Sequence, residues 1–381
     1  MRPCVVLACL LATPVLLLAQ EDEERPPPDL SEGSALNLGV GNSGLSIGNS
    51  SWWNGVRINF RDRAIRRING VNLTIWQSDS RTMEFGTVNG LAIGGMPEAG
   101  YLNGVSVGLG VIAHQRAAGV NLGLLGLITD GDGAWGLNVG GLGAVADGGM
   151  NGINVGGLGL VADGGLRGLN VGGLGTVADG GMQGINVAGL GLVADGGIDG
   201  LNVGGLAVVA DGGLRGLSVG GLAAVADGGV DGLGIGGLAV VADGGIRGLT
   251  VGGLAVVSDG GFQGGGIAGL ALVADGSFQG LGIAGLAVVA DGPLQGLAAT
   301  LYQVRSDEVQ GMTVAGYLHT WDMTGFGVGA YNRIRGTQRG LTIGIYNSAR
   351  ELHGIQIGVL NRAQNNKPPF RWLPLVNVHL N

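Results

Sequence analysis

The chain has 381 residues, 84 of them glycine, and carries a formal charge of −8. Glycine at about three times its usual share, without a G-X-Y period, excludes collagen, and 45% hydrophobic residues exclude a solvated coil. Charged residues make up 13%, too few for a coiled coil, and the negative balance argues against nucleic acid as a partner.

Residues 1–20 read as a secretory signal peptide: Arg2, an apolar run over 5–19, then polar Gln20. Both cysteines, Cys4 and Cys9, fall inside it, so the exported chain is expected to be free of cysteine. The triplet Val6, Leu7, Ala8 before Cys9 loosely matches a lipoprotein cleavage box, but the apolar run continues past the cysteine. After the signal, glycine and aspartate interrupt every apolar run, and no transmembrane helix is expected. Residues 21–33 are acidic and proline-rich, the composition of a disordered spacer.

Over residues 34–135 a core of Gly-apolar-x-apolar recurs at irregular spacing, as in Gly55-Val-Arg-Ile58, Gly70-Val-Asn-Leu73, Gly90-Leu-Ala-Ile93, Gly104-Val-Ser-Val107 and Gly119-Val-Asn-Leu122. These read as coils with loops of variable length. Trp52, Trp53 and Trp76, with Arg57, Arg61, Arg63, Arg66 and Arg67, read as a cap closing the end of an apolar stack. The alternative is a contact with anionic lipid or lipopolysaccharide, arginine on phosphate and tryptophan at the interface.

Residues 136–295 repeat one 16-residue unit ten times, from GLNVGGLGAVADGGMN to GLGIAGLAVVADGPLQ. Numbered from its first Gly, the unit is apolar at positions 2, 4, 7, 9 and 15. It reads as two short strands joined by a Gly corner and closed by an Asp-Gly-Gly turn. Helix is excluded, because four or five glycines per unit would each cost about 1 kcal/mol relative to Ala. The expected fold is all-β: a parallel β-solenoid with one 16-residue coil per repeat, packed by Leu, Val and Ile with Gly and Ala outside. The alternative is an antiparallel β-barrel meander, which would act as an outer-membrane pore.

Two columns favour the solenoid. At position 16 the run Asp199, Arg215, Asp231, Arg247 alternates in sign, which suits vertical neighbours one coil apart. At position 3, Asn138, Asn154, Asn170, Asn186 and Asn202 are placed to stack as an amide ladder. Both strand faces are apolar or small, so a water-filled barrel lumen would have no lining.

Residues 296–366 read as divergent C-terminal coils and 367–381 as a C-terminal cap with a strand over 375–380. The segments Gly311-Met-Thr-Val314, Gly325-Phe-Gly-Val328, Gly340-Leu-Thr-Ile-Gly-Ile-Tyr-Asn347 and Gly354-Ile-Gln-Ile-Gly-Val-Leu-Asn361 resemble a bacterial surface-repeat family first described in spirochaetes. Its repeats have the form Gly-apolar-x-Ile-Gly-apolar-apolar-Asn. The match is clearest over 311–362 and recognisable over 71–122, while the central block lacks the closing Asn. The resemblance implies an exported, surface-associated repeat protein and carries over no functional residues.

No catalytic, cofactor-binding or metal-ligating set is expected. Gly44-Leu-Ser-Ile-Gly48, Gly104-Val-Ser-Val-Gly108 and Gly216-Leu-Ser-Val-Gly220 match a nucleophile-elbow pattern but are the repeat core with Ser at position 3. Gly39-Val-Gly-Asn-Ser-Gly44 matches a dinucleotide fingerprint without a βαβ context. His114, His319, His353 and His379 show no metal-ligand spacing and read as surface residues, with His319, Asp322 and His353 as the one group to watch. The Asp column, Asp147, Asp163, Asp179, Asp195, Asp211, Asp227, Asp243, Asp259, Asp275 and Asp291, reads as turn formation, each carboxylate accepting from its own Gly-Gly amides. A divalent-cation ladder is the alternative. Thr250, Thr313 and Thr342 are too scattered for an ice-binding array. The expected protein is an exported, non-enzymatic structural or adhesive repeat protein of a bacterial cell surface, outer membrane or periplasm. Its expected partner is a second copy or the cell-envelope surface, without a small-molecule substrate.

Overall fold

The computed structural model describes residues 34–79 and 85–380. The expected signal peptide over 1–20, the expected spacer over 21–33, residues 80–84 and Asn381 lie outside them. Among the described residues there is no helix. The chain winds as a parallel β-solenoid whose coils stack in strict register: Gly152 pairs with Gly136, Gly168 with Gly152 and Gly184 with Gly168, each 16 residues on. Each regular coil has a long strand, such as Met150–Gly156, and a short one, such as Gly159–Ala162. At the usual strand spacing ten coils give a rod of about 48 Å. The pairing is parallel from Ser43 to Ala363, so the antiparallel meander, and the pore that depended on it, are set aside.

Register survives the irregular ends because one glycine per coil forms a continuous column. It runs from Gly44 through Gly55, Gly70 and Gly90 to Gly340 and Gly354, always at positive φ. A Cβ on Gly168 would lie 2.1 Å from the carbonyl oxygen of Gly152 below it, so no larger residue fits this backbone. Coil length therefore varies through the loops while the column holds its phase.

That glycine also overturns the expected packing. Its positive φ interrupts alternation, so positions 16, 1 and 2 all face outward and positions 15, 3 and 5 face inward. The core consists of position 15 (Met150, Leu166, Phe278), position 9 (Leu160, Val208), position 11 (Ala146, Ala210) and the position-3 asparagines. Positions 2 and 7, expected inside, are outside: Ile153 is 46% exposed and Leu158 53%. Position 4 is half-buried on the same outer side. The interior is too narrow for branched side chains from every apolar position. Each coil places large side chains inside at positions 15 and 9, beside the smaller residues of positions 3 and 11, and turns positions 2 and 7 to the surface.

Inside, Asn121 donates to Asn138, and the chain of amides continues through Asn154, Asn170 and Asn186 to Asn202 and Ser218, at 2.7–3.2 Å. This is the expected ladder, and it is fully buried. A second ladder joins Asn332, Asn347 and Asn361, so the closing Asn of the C-terminal motif is an interior hydrogen-bonding residue. Both ends are closed by antiparallel strands, Ala35–Val40 on Ser43–Gly48 and Trp372–His379 on Glu351–Ala363.

Candidate functional site

At the N-terminal end the structure separates the aromatic and basic residues that the sequence grouped. Trp53 is buried and its indole N–H donates to the Gly44 carbonyl at 3.0 Å. Arg57, one of the five arginines assigned to the cap, is buried in the interior column. It pairs with buried Asp62 and donates to Asn72 and Asn49 at 2.7 and 2.8 Å. Asp62 also accepts from Asn72 and Thr74, which offsets part of the desolvation of the pair, while the buried Arg57 Nε has no partner. These two residues plug the stack. Trp52 and Trp76 remain exposed, and Trp52, Arg66 and Arg67 line an open hollow of about 470 Å³ with Asn37 and Ser50.

The histidines differ from expectation in one case. His114 lies between Glu98 and Asp130, its Nε2 2.9 Å from one carboxylate and its Nδ1 3.1 Å from the other. Its pKa is raised, first by the Glu98 hydrogen bond and against the cost of burial, with Asp130 adding to the effect. The three residues are each 16 apart, which is the signal that sequence reading overlooked. His319 and His353 occupy different columns, His319 between Arg305 and Arg333 and His353 above Arg339, so the suspected group with Asp322 does not assemble. The Asp322 carboxylate instead accepts from the Thr337 amide at 2.6 Å. Burial lowers the His319 pKa, and Arg335, Arg333 and Arg305 push the same way. Beside that basic column Tyr317, Tyr331, Tyr346 and Trp372 form an aromatic stack, with neighbouring ring centroids 4.7–6.3 Å apart. Their spacing of 14 and 15 residues along the tyrosines is the local coil length.

The Asp column lies exposed along one edge. Among the described residues these carboxylates accept no side-chain hydrogen bond from their own Gly-Gly amides, so the expected turn role is corrected. Backbone bonds instead tie each Asp to the coil below, such as the Asp163 amide donating to the Ala146 carbonyl at 3.0 Å. The pKa values of Asp147 and Asp179 are raised, first by partial burial and then by the neighbouring aspartates above and below. Among the described residues no three His, Cys, Asp or Glu side chains converge as a metal-ligand set. Ser46, Ser106 and Ser218 of the elbow-like motifs are buried inside coils, and residues 39–44 form the turn of the N-terminal hairpin. Thr250, Thr313 and Thr342 face the interior.

What remains is a surface. The outer face of the long strands carries apolar columns at positions 2 and 4 from Leu45 and Ile47 to Ile355 and Ile357, with Gly265 interrupting the first. Its charged column is position 16, where Arg215 lies 3.6 Å from Asp199 and Arg247 lies 3.8 Å from Asp231. No helix among the described residues is long and apolar enough to cross a membrane. No family model matches the chain, and neither a curated protein nor a solved structure does, so the resemblance to the spirochaete-type repeats rests on the motif alone.

Proposed function

We propose that this protein is an exported, surface-associated rod that acts as a structural or adhesive scaffold without catalytic activity. The observation that carries the reading is the outward, in-register placement of the Leu and Val columns over the whole stack. A rod with a narrow, filled interior has no enclosed space for a substrate. Its large exposed apolar area instead has the character of an interaction surface. The signal-like residues 1–20 and the resemblance of residues 311–362 to bacterial surface repeats support export. The test replaces Cys4 and Cys9 by Ser, introduces Leu206→Cys on an exposed corner, and treats intact producing cells with a membrane-impermeant maleimide. Labelling of intact cells is expected. Labelling only after lysis would overturn the surface role.

A further inference from the structure

The apolar outer face of the long strands carries a charge pattern that specifies what covers it. Consecutive coils place Asp199, Arg215, Asp231 and Arg247 in one vertical column, each in register with the next. Position 16 of the neighbouring coils on either side is Gln183 and Gln263, both uncharged. We infer that two copies of this chain pack through this face as an antiparallel, two-fold symmetric dimer, with the axis running between the coils of Arg215 and Asp231.

The argument rests on symmetry, charge and area. Two sheets pack face to face with their strands nearly aligned, about 10 Å apart. If the rods ran parallel about a two-fold along their length, the charged column of one copy would lie over the Val and Gly edge of the other. The five charges of the column, Arg167 included, would then be desolvated against apolar residues. If the rods run antiparallel about a two-fold along the strands, the charged columns of the two copies meet each other. With the axis between Arg215 and Asp231, Arg215 faces the second copy's Asp231, and Asp199 faces its Arg247. No like charges meet in that register. Sliding one copy by a single coil sets Asp199 against Asp231, or Arg215 against Arg247.

The same operation lays position 2 on position 2 and position 4 on position 4, giving a dry apolar contact beside the charged rim. Over the ten regular coils the face measures about 48 Å by 17 Å, roughly 800 Å² per partner, the size of a standard stable interface. A second copy is the partner that reproduces the axial spacing of the ladder coil for coil. A bilayer would match the apolar columns but carries no column of alternating charge to meet this one.

This inference deepens the scaffold reading, yet the two fail separately. A monomer on the cell surface would sink the dimer alone, and a dimer confined inside the cell would sink the surface role alone. The experiment uses the full chain with Cys4→Ser and Cys9→Ser. Sedimentation velocity is expected to show a dimer. Leu217→Cys, one coil from its own symmetry mate, is expected to cross-link with a bismaleimide of about 10 Å span, whereas Leu281→Cys, about 34 Å from its mate, is not. Asp199→Arg with Asp231→Arg makes the column all-positive and is expected to weaken dimerisation at least tenfold. Adding Arg215→Asp and Arg247→Asp restores alternation and is expected to restore the dimer, with circular dichroism showing the solenoid intact throughout. A monomeric chain would overturn the inference, and flotation of that monomer with phosphatidylcholine vesicles would assign the face to a bilayer instead. Equal cross-linking at Leu281 and Leu217, or failure of the four-residue exchange to restore the dimer, would overturn the register.

Discussion

The two halves of the regular block share one backbone and solve its interior differently. In the N-terminal half, position 3 is Asn from Asn138 to Asn202, hydrogen-bonded coil to coil, and position 15 is Met, Leu or Ile. In the C-terminal half, position 3 becomes Gly234, Thr250, Gly266 and Gly282, the ladder is gone, and position 15 reaches Phe262 and Phe278, stacked with centroids 4.8 Å apart. The exchange is one of volume. A Cβ on Gly266 or Gly282 would lie 2.9 Å from the ring of the Phe in its own coil, so glycine at position 3 makes room for the aromatic at position 15. A solenoid interior tolerates either a polar ladder or an aromatic stack, provided each layer fills the same narrow section.

The sharpest way to break this equivalence is to import one half's residue into the other. Gly282→Asn sets a side chain against the Phe278 ring and is expected to destabilise by about 3 kcal/mol. Combining it with Phe278→Leu should recover most of the loss, a coupling that denaturant unfolding of the four-member cycle would read. Equal losses in the single and double variants would show that volume exchange is not what distinguishes the halves.

In the ladder half, Asn170→Ala removes the acceptor for Asn154 and the donor to Asn186, and a loss of about 2 kcal/mol is expected by denaturant melting. The opposite sign is expected across the boundary. Thr250 has a buried hydroxyl without a partner, so Thr250→Val should stabilise by about 1 kcal/mol. If both changes cost the same, the ladder contributes no more than ordinary packing.

The smallest effect compares the regular block with the coils before it. The raised pKa of His114 means the folded state holds its proton more tightly than the unfolded chain. The contribution is therefore fully present below pH 6.5 and is lost as pH rises through the higher folded value. The raised Asp147 and Asp179 carboxyls act in the same sense at lower pH: stability rises as pH falls from the folded pKa toward about 3.8. Melting temperatures from pH 8 to pH 6 should rise on acidification for the natural chain and flatten for His114→Gln. An unchanged slope in the variant would remove His114 as the source.

Much of the architecture was legible from the spacing of single residues. The alternation at Asp199, Arg215, Asp231 and Arg247 and the Asn138–Asn202 series both required neighbours one period apart, and the structure places them so. The pattern leaves the candidate surface half assigned: positions 9 and 15 are inside as expected, while positions 2, 4 and 7 lie on the outer side. Positions 2, 4, 7, 9 and 15 are all apolar, so the pattern holds no polar face to mark the outside, and alternation alone leaves the phase open. The Arg57–Asp62 pair and the His114 cluster were missed for a related reason. Arg57 and Asp62 fall five residues apart beside an irregular coil, and Glu98, His114 and Asp130, although 16 apart, lie among coils whose column glycines step by 14 to 17 residues.

The sequence by itself determined the period and the two columns, which favoured stacking one period apart over an antiparallel meander; the parallel pairing itself came from the tertiary structure. Only the tertiary structure decided which side of each strand is buried. That choice follows from one glycine per coil at positive φ, which turns three successive positions outward, and from an interior whose section is already filled by positions 15, 9, 11 and 3.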